Sequence, residues 1–201
     1  MKKMAEKLSQ VRQRSAKKFA EEICGQMKEL NFLDSRFEIR ISEAEKYSSN
    51  GKDEAEFYLS VNPGEPLKPL GSVASGGEIS RVMLAVKTVL ADEEDTPTLI
   101  FDEIDTGISG ITAGKVGDRL RLIGKSRQVI CITHLPQIAA AADHHFLIRK
   151  KAEGTSVRTD VEMLDEAASV EELARLLGGA NVTERVMESA KELKELAKCE
   201  R

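Results

Sequence analysis

Three short stretches of this sequence combine residue types that act on phosphates and water. In Ser75-Gly76-Gly77-Glu78, two glycines follow a serine where an apolar helical pattern begins. Glycines leave the first-turn N–H groups of a helix open to an anion, and the helix dipole adds positive charge at that end. The same residues fit a capping box, with Ser75 accepting from the N–H three residues on and Glu78 reaching back. Ser169 and Glu172 repeat that spacing without the glycines. Leu99-Ile100-Phe101-Asp102-Glu103 is an apolar run of strand length ending in two carboxylates. Asp102 suits a magnesium ion held through water, since magnesium prefers carboxylates and keeps its hydration. Glu103 beside it suits orienting or deprotonating an attacking water. Two acids after an apolar run also arise where a strand simply turns into solvent.

Asp105 follows in Ile104-Asp105-Thr106-Gly107-Ile108-Ser109-Gly110, whose glycines and Asp by themselves indicate a loop. A second apolar run, Val129-Ile130-Cys131-Ile132, ends in Thr133-His134. A lone histidine usually has no role. At the C-terminal edge of a sheet, where α/β proteins bind ligands, it can hydrogen-bond a terminal phosphate or the attacking water.

These residues need elements that hold them. Leu8, Val11, Phe19, Ile23, Met27 and Leu30 recur at helical spacing over residues 4–30, with no start signal before them. Phe37-Ile39-Ile41 and Phe57-Leu59-Val61 alternate around the turn-rich 48–52, which predicts an antiparallel hairpin. Residues 62–71 hold three of the five prolines and form a stiff connector. Beyond it, Ile79, Val82, Met83, Val86 and Leu90 mark a helix, and strand-length runs at 98–101, 128–132 and 145–149 alternate with helices at 111–123 and 136–142. That alternation predicts a parallel sheet with crossover helices. An edge strand over 155–163 and helices at 170–177 and 183–198, parted by Gly178-Gly179, complete the expectation.

Glycine-rich helix start, Asp-Glu strand end, Asp-containing loop, strand, histidine: this order resembles the ABC ATPases. In that resemblance Ala74-Ser75-Gly76-Gly77-Glu78 looks like the signature motif, residues 98–103 like Walker B with its catalytic Glu103, Asp105 like the D-loop aspartate and His134 like the switch histidine. The longer strings narrow it. Residues 62–67, 73–81, 101–110 and 133–139 are similar to the RecN family of bacterial, SMC-like DNA-repair ATPases, and the resemblance runs from the first helix to the last. It implies the C-terminal lobe of an α/β P-loop NTPase head over residues 31–201, entered by the returning arm of a coiled coil over 1–30. Residue 1 is then expected to lie inside a longer chain.

The resemblance also implies ATP, hydrolysed to ADP and phosphate with magnesium, sandwiched between two heads. Ser75, Gly76, Gly77 and Glu78 act in trans, Asp102, Glu103 and His134 in cis, and Asp105 lies across the head interface. In the family the cycle serves recombinational repair of double-strand breaks, with DNA, a second head and an N-terminal P-loop lobe as partners.

The P-loop pattern G-x-x-x-x-G-K-[ST] does not occur. Gly124-Lys125-Ser126 would need its first glycine at Arg119, and Gly114-Lys115 has Ser109 there and Val116 after the lysine. The chain by itself is therefore expected to be inactive. A formal charge of −4 over 201 residues excludes a whole-chain DNA clamp, and 4% aromatics with no Trp exclude a stacking surface for single strands. Cys24, Cys131 and Cys199 lack metal-binding spacing, and the apolar runs are too short to span a membrane, so a cytoplasmic protein is expected. Two alternatives remain: a non-enzymatic module that dimerises or binds a partner through the signature helix, and a local DNA-binding module on the lysines and arginines of residues 2–18.

Overall fold

The computed structural model describes residues 2–72, 75–91, 93–153 and 156–199. Val73 and Ala74 of the signature-like string, and Thr155 of the expected edge strand, lie outside them. The chain divides into two units, Met1–Pro97 and Thr98–Arg201.

The first unit begins with helix α1, Lys2–Glu29. It stops where Asn31 takes a left-handed conformation, φ 69°. The Phe32 N–H then bonds the Met27 carbonyl and the Asn31 N–H that of Lys28, each at 3.0 Å. This double closure satisfies the last carbonyls of a helix, and Asn tolerates the left-handed turn better than most residues. The buried end of α1, Ile23 and Met27, packs on strand β1, Arg36–Ser48, and helix α2, Gly76–Val89. Met4, Leu8 and Val11 at the other end stay exposed.

Strand β2, Gly51–Ser60, returns against β1 with Phe37 opposite Leu59 and Ile39 opposite Phe57. This is the expected hairpin, turned at residues 49 and 50. Its tip is tied to α1: Asp53 accepts from Ser9 Oγ at 2.5 Å and from Arg12 at 2.8 Å. The proline-rich connector adds a two-residue edge strand β3, Lys68–Pro69, and a 3₁₀ turn, Leu70–Ser72. An edge is where a sheet accepts proline, which has no N–H to donate.

In the second unit, β4 (Thr98–Phe101) and β5 (Gln128–Cys131) pair in parallel. Helix α3, Gly110–Gly124, crosses between them and buries Val116, Leu120 and Ile123. Helix α4, Pro136–Ala140, leads to β6, His145–Glu153, and β7, Ser156–Leu164. The third run was expected to extend the parallel sheet. Among the described residues β6 instead pairs antiparallel with β7, while the parallel ladder holds two strands. A sequence-adjacent partner closes a short loop at little entropic cost, so β6 has a hairpin mate whatever lies on its other edge.

Helices α5 (Glu166–Gly178) and α6 (Glu184–Cys199) pack on α4 through Ala139, Leu173, Ala174 and Ala190. Ser169 does not cap α5. Asp165 does, its side chain accepting from the Ala168 N–H at 2.8 Å. Ser169 is inside the helix, buried, with Oγ 2.9 Å from His145 Nδ1, and Glu172 bonds Arg175 instead of reaching back. Asp is as good an N-cap as Ser, and starting four residues earlier adds a helical turn.

Candidate phosphate and water site

Ser75 is the N-cap of α2, in extended conformation, accepting from the Glu78 N–H over a long 3.4 Å. This is the Ser75 half of the expected capping box; no bond from the Ser75 N–H back to the Glu78 side chain accompanies it among the described residues. The Ile79 N–H closes the first turn on the Ser75 carbonyl. Gly77 is buried and Gly76 exposed, so the open backbone at this helix end is at Gly76. One turn on, Arg81 is 6% exposed and its guanidinium lies 5.4 Å from the centre of the Phe32 ring. Burial pulls the Arg81 pKa down, with Glu78 opposing it.

In the second unit, the parallel pairing of β4 and β5 sets their C-terminal ends side by side. Phe101 lies opposite Cys131, and the Ile132 N–H continues the ladder to the Phe101 carbonyl at 3.0 Å. Asp102-Glu103 therefore leave one strand where Thr133-His134 leave the next. Asp102 and Glu103 are exposed. Asp102 Oδ1 accepts from the Glu103 N–H at 2.9 Å, which fixes the turn. Glu103 has φ 55°, a left-handed conformation costing a residue with a Cβ roughly 1–2 kcal/mol. The Glu103 carboxylate has no hydrogen bond or ion pair among the described residues.

Asp105 turns inward. It is 4% exposed, and its Oδ2 meets Thr133 Oγ1 at 2.6 Å, the His134 N–H at 2.7 Å and the His134 Nδ1 at 2.9 Å. The Thr133 hydroxyl also accepts from the Leu135 N–H at 3.0 Å, so one carboxylate organises the entry to α4. The His134 side chain stays 71% exposed. Sequence reasoning singled out Asp105 and His134 separately but missed their contact and the part played by Thr133. A hydroxyl immediately before the histidine was the available signal. Cys131 sits beside this group as an unreactive thiol: burial, with the Asp105 and Asp102 carboxylates, pushes it up to about 12.

A magnesium ion needs one or two carboxylates and fills its shell with water and phosphate. Exposed Asp102 at a strand end fits that limited role. No group of three or more His, Cys, Asp or Glu among the described residues forms a metal cage. Ser75–Glu78 and the Asp102–His134 group belong to different units.

No family model matches the chain. It is 45% identical, over 94% of its length, to DNA repair protein RecN of Halalkalibacterium halodurans, and equally to that of Vibrio cholerae. The RecN of Bacillus subtilis is 39% identical, again over 94% of the chain. This chain is a relative of the RecN proteins. It spans about a third of the length of the RecN proteins it matches, 34 to 35%. Among solved structures, the Smc head domain with a coiled coil and joint from Pyrococcus yayanosii aligns with 81% of this chain and 29% of its own, with TM-score 0.57 and 21% identity. An Smc head with an extended coiled coil from Pyrococcus furiosus, bound to the C-terminal domain of ScpA, gives TM-score 0.54 at 20% identity, over 83% of this chain and 40% of that one. At such identity the likeness establishes the fold, that of an SMC head domain. RecN relatedness and an SMC head fold are what the signature-like and Walker-like strings implied. No described helix is long and apolar enough to cross a membrane.

Proposed function

We propose that this chain is the C-terminal lobe of the ATP-hydrolysing head of a RecN-type protein acting on DNA double-strand breaks by recombinational repair. The observation that carries the reading is the meeting of Asp102-Glu103 and Thr133-His134 at the C-terminal ends of two neighbouring parallel strands. Asp102 would hold magnesium through water, and the ion would offset charge on the phosphates. Glu103 orients the attacking water and takes up its proton. His134 is the second polar group at the reacting phosphate. The N-terminus of α2, with Ser75, Gly76, Gly77 and Glu78, caps the terminal phosphate of ATP bound by a second head. The exposed Thr106-Gly107 rim of the loop makes the head contact, with Asp105 supporting it from inside.

The chain works with a P-loop lobe from the N-terminal part of the same protein and has no turnover without it. Two apolar faces support such a partner. Ile100 and Ile130 on the parallel strands and Ile132 just beyond β5 are 68, 44 and 48% exposed. Phe146 with Met163 and Ile148 with Val161 form cross-strand pairs on one face of the β6–β7 hairpin, all more than half exposed. Parallel strands are ordinarily covered on both faces, so a surface of this composition is built for a partner. Exposed Met4, Leu8 and Val11 likewise suit an arm helix that pairs with a second one.

The test is ATP turnover after mixing the chain with its P-loop lobe. Turnover should appear only in the mixture, and Glu103→Gln should abolish it while ATP-dependent association persists. Turnover surviving that substitution removes Glu103 from the role of base. Ser75→Arg should block association of heads while ATP binding to the P-loop lobe is retained.

A further inference from the structure

Between residues 2 and 18 the chain carries seven basic side chains and a single acidic one, Glu6, although its formal charge is −4. The fold sorts these seven by direction. Arg12 is committed to Asp53 at 2.8 Å, on the side of α1 that meets the β1–β2 hairpin. Ala5 and Ser9 lie on that side too: Ala5 is buried and Ser9 donates to Asp53 at 2.5 Å. At 3.6 residues per turn, Lys3, Lys7, Arg14 and Lys18 align on the opposite side, at spacings of four, seven and four residues, with Gln10 in the gap. All five are exposed, and so is Lys17, which flanks them. The row is about 22 Å long at 1.5 Å per residue. Lys3, Lys7, Arg14 and Lys17 form no ion pair or hydrogen bond among the described residues. Lys18 reaches Glu22 at 3.6 Å, an exposed pair of the kind that contributes little. Glu21, one turn beyond Lys18, ends the row.

We propose that Lys3, Lys7, Arg14 and Lys18 on the exposed side of α1 form a sequence-independent contact for the phosphate backbone of duplex DNA. The row contains no apolar or aromatic side chain. A protein partner ordinarily needs a buried apolar centre, and a single strand needs stacking platforms. A duplex backbone needs neither, because positive charges along a straight rod are enough to release its counterions. The acidic remainder of the chain repels the same polyanion and restricts contact to this edge. The function proposed above gives DNA no surface on this chain. The basic row supplies one, and rests on that function for the choice of DNA over other polyanions. Met4 and Val11 border Lys7 and Arg14 on the helix, so an arm helix with acidic flanks is the rival occupant.

Fluorescence anisotropy of this chain with a labelled duplex tests it. Log K should fall linearly with log salt between about 50 and 200 mM, with a slope of about −3.6 for four phosphate contacts. Arg14→Gln should reduce the slope by about one, and replacing Lys3, Lys7, Arg14 and Lys18 together with Gln should leave no measurable binding. Gln is close to Lys and Arg in helix propensity, so circular dichroism should show α1 unchanged. Replacing Arg149 and Lys150, exposed on β6, with Gln should leave affinity and slope as they were. Three results each overturn the proposal: no duplex binding by wild type at about 50 mM salt, a slope unchanged in the fourfold variant, or tighter binding to a single strand than to a duplex. In the complete protein the fourfold variant should lose duplex affinity by about tenfold or more, with ATP turnover in the absence of DNA intact. Duplex affinity unchanged there would give the row to the arm helix. If the complete wild-type protein shows no ATP turnover at all, the ATPase function fails while the DNA result stands.

Discussion

Glu103 is where chemistry and backbone geometry conflict. Its φ of 55° favours glycine, yet the position carries a carboxylate with no partner among the described residues. Strain retained at an exposed loop residue is in keeping with the role proposed for Glu103. Glu103→Gly should therefore raise thermal stability, by about 0.5–1 kcal/mol after the extra backbone entropy of glycine is counted, while removing turnover. Glu103→Gln should leave stability where it was. Calorimetry on the isolated chain distinguishes the two, and a Gly variant less stable than wild type would contradict the strain argument. Asp105 is the opposite case: buried, with Oδ2 committed to the Thr133 hydroxyl and the His134 backbone N–H.

At the scale of elements, two joints stand out. The hairpin tip is clamped to α1 because Asp53 takes hydrogen bonds from Ser9 and Arg12, and these hold its carboxyl below the usual carboxylate range. A depressed folded pKa contributes stability above the unfolded value of about 3.9, and the contribution disappears as pH falls through the folded value. The melting-temperature gap between wild type and Asp53→Asn should therefore be widest near neutrality and shrink below about pH 4. A gap independent of pH would mean the clamp is not electrostatic. The second joint is where α5 meets α6. A Cβ on Gly178 would come within 3.0 Å of Val186 Cγ1, and Gly179 turns the chain at φ 63°. Gly178→Ala should cost about 1–3 kcal/mol as overpacking, seen as a drop of several degrees in melting temperature.

For the whole molecule, the unsatisfied surface is the informative feature. Ile100 and Ile130 belong to strands whose composition suits burial on both sides, yet their side, continued by Ile132, faces solvent. Ile130→Lys should change the stability of the isolated chain by no more than about 0.5 kcal/mol, as exposed substitutions usually do. It should weaken binding to the P-loop lobe at least tenfold, since burying an isoleucine is worth roughly 1.5–3 kcal/mol and 1.4 kcal/mol is a factor of ten. Titration calorimetry of the two lobes measures this, and unchanged affinity would place the interface elsewhere.

Local patterns were enough to read the elements of this protein. Hydrophobic periods located α1, α2, α3 and both parallel strands to within a residue or two, because each depends on neighbours three, four or two residues away. The residues with chemical potential, Ser75, Asp102, Glu103, Asp105 and His134, were likewise visible as types at strand and helix ends. What only the tertiary structure decided is which of them touch. The parallel register of β4 and β5 brings Asp105 under Thr133 and His134, 28 and 29 residues on, and no local period encodes a contact at that separation. The same holds for β6, whose apolar run looked like another parallel strand but paired with β7. Strand composition reports burial, whereas the partner along each edge is chosen by loop closure and by whatever packs on the open faces.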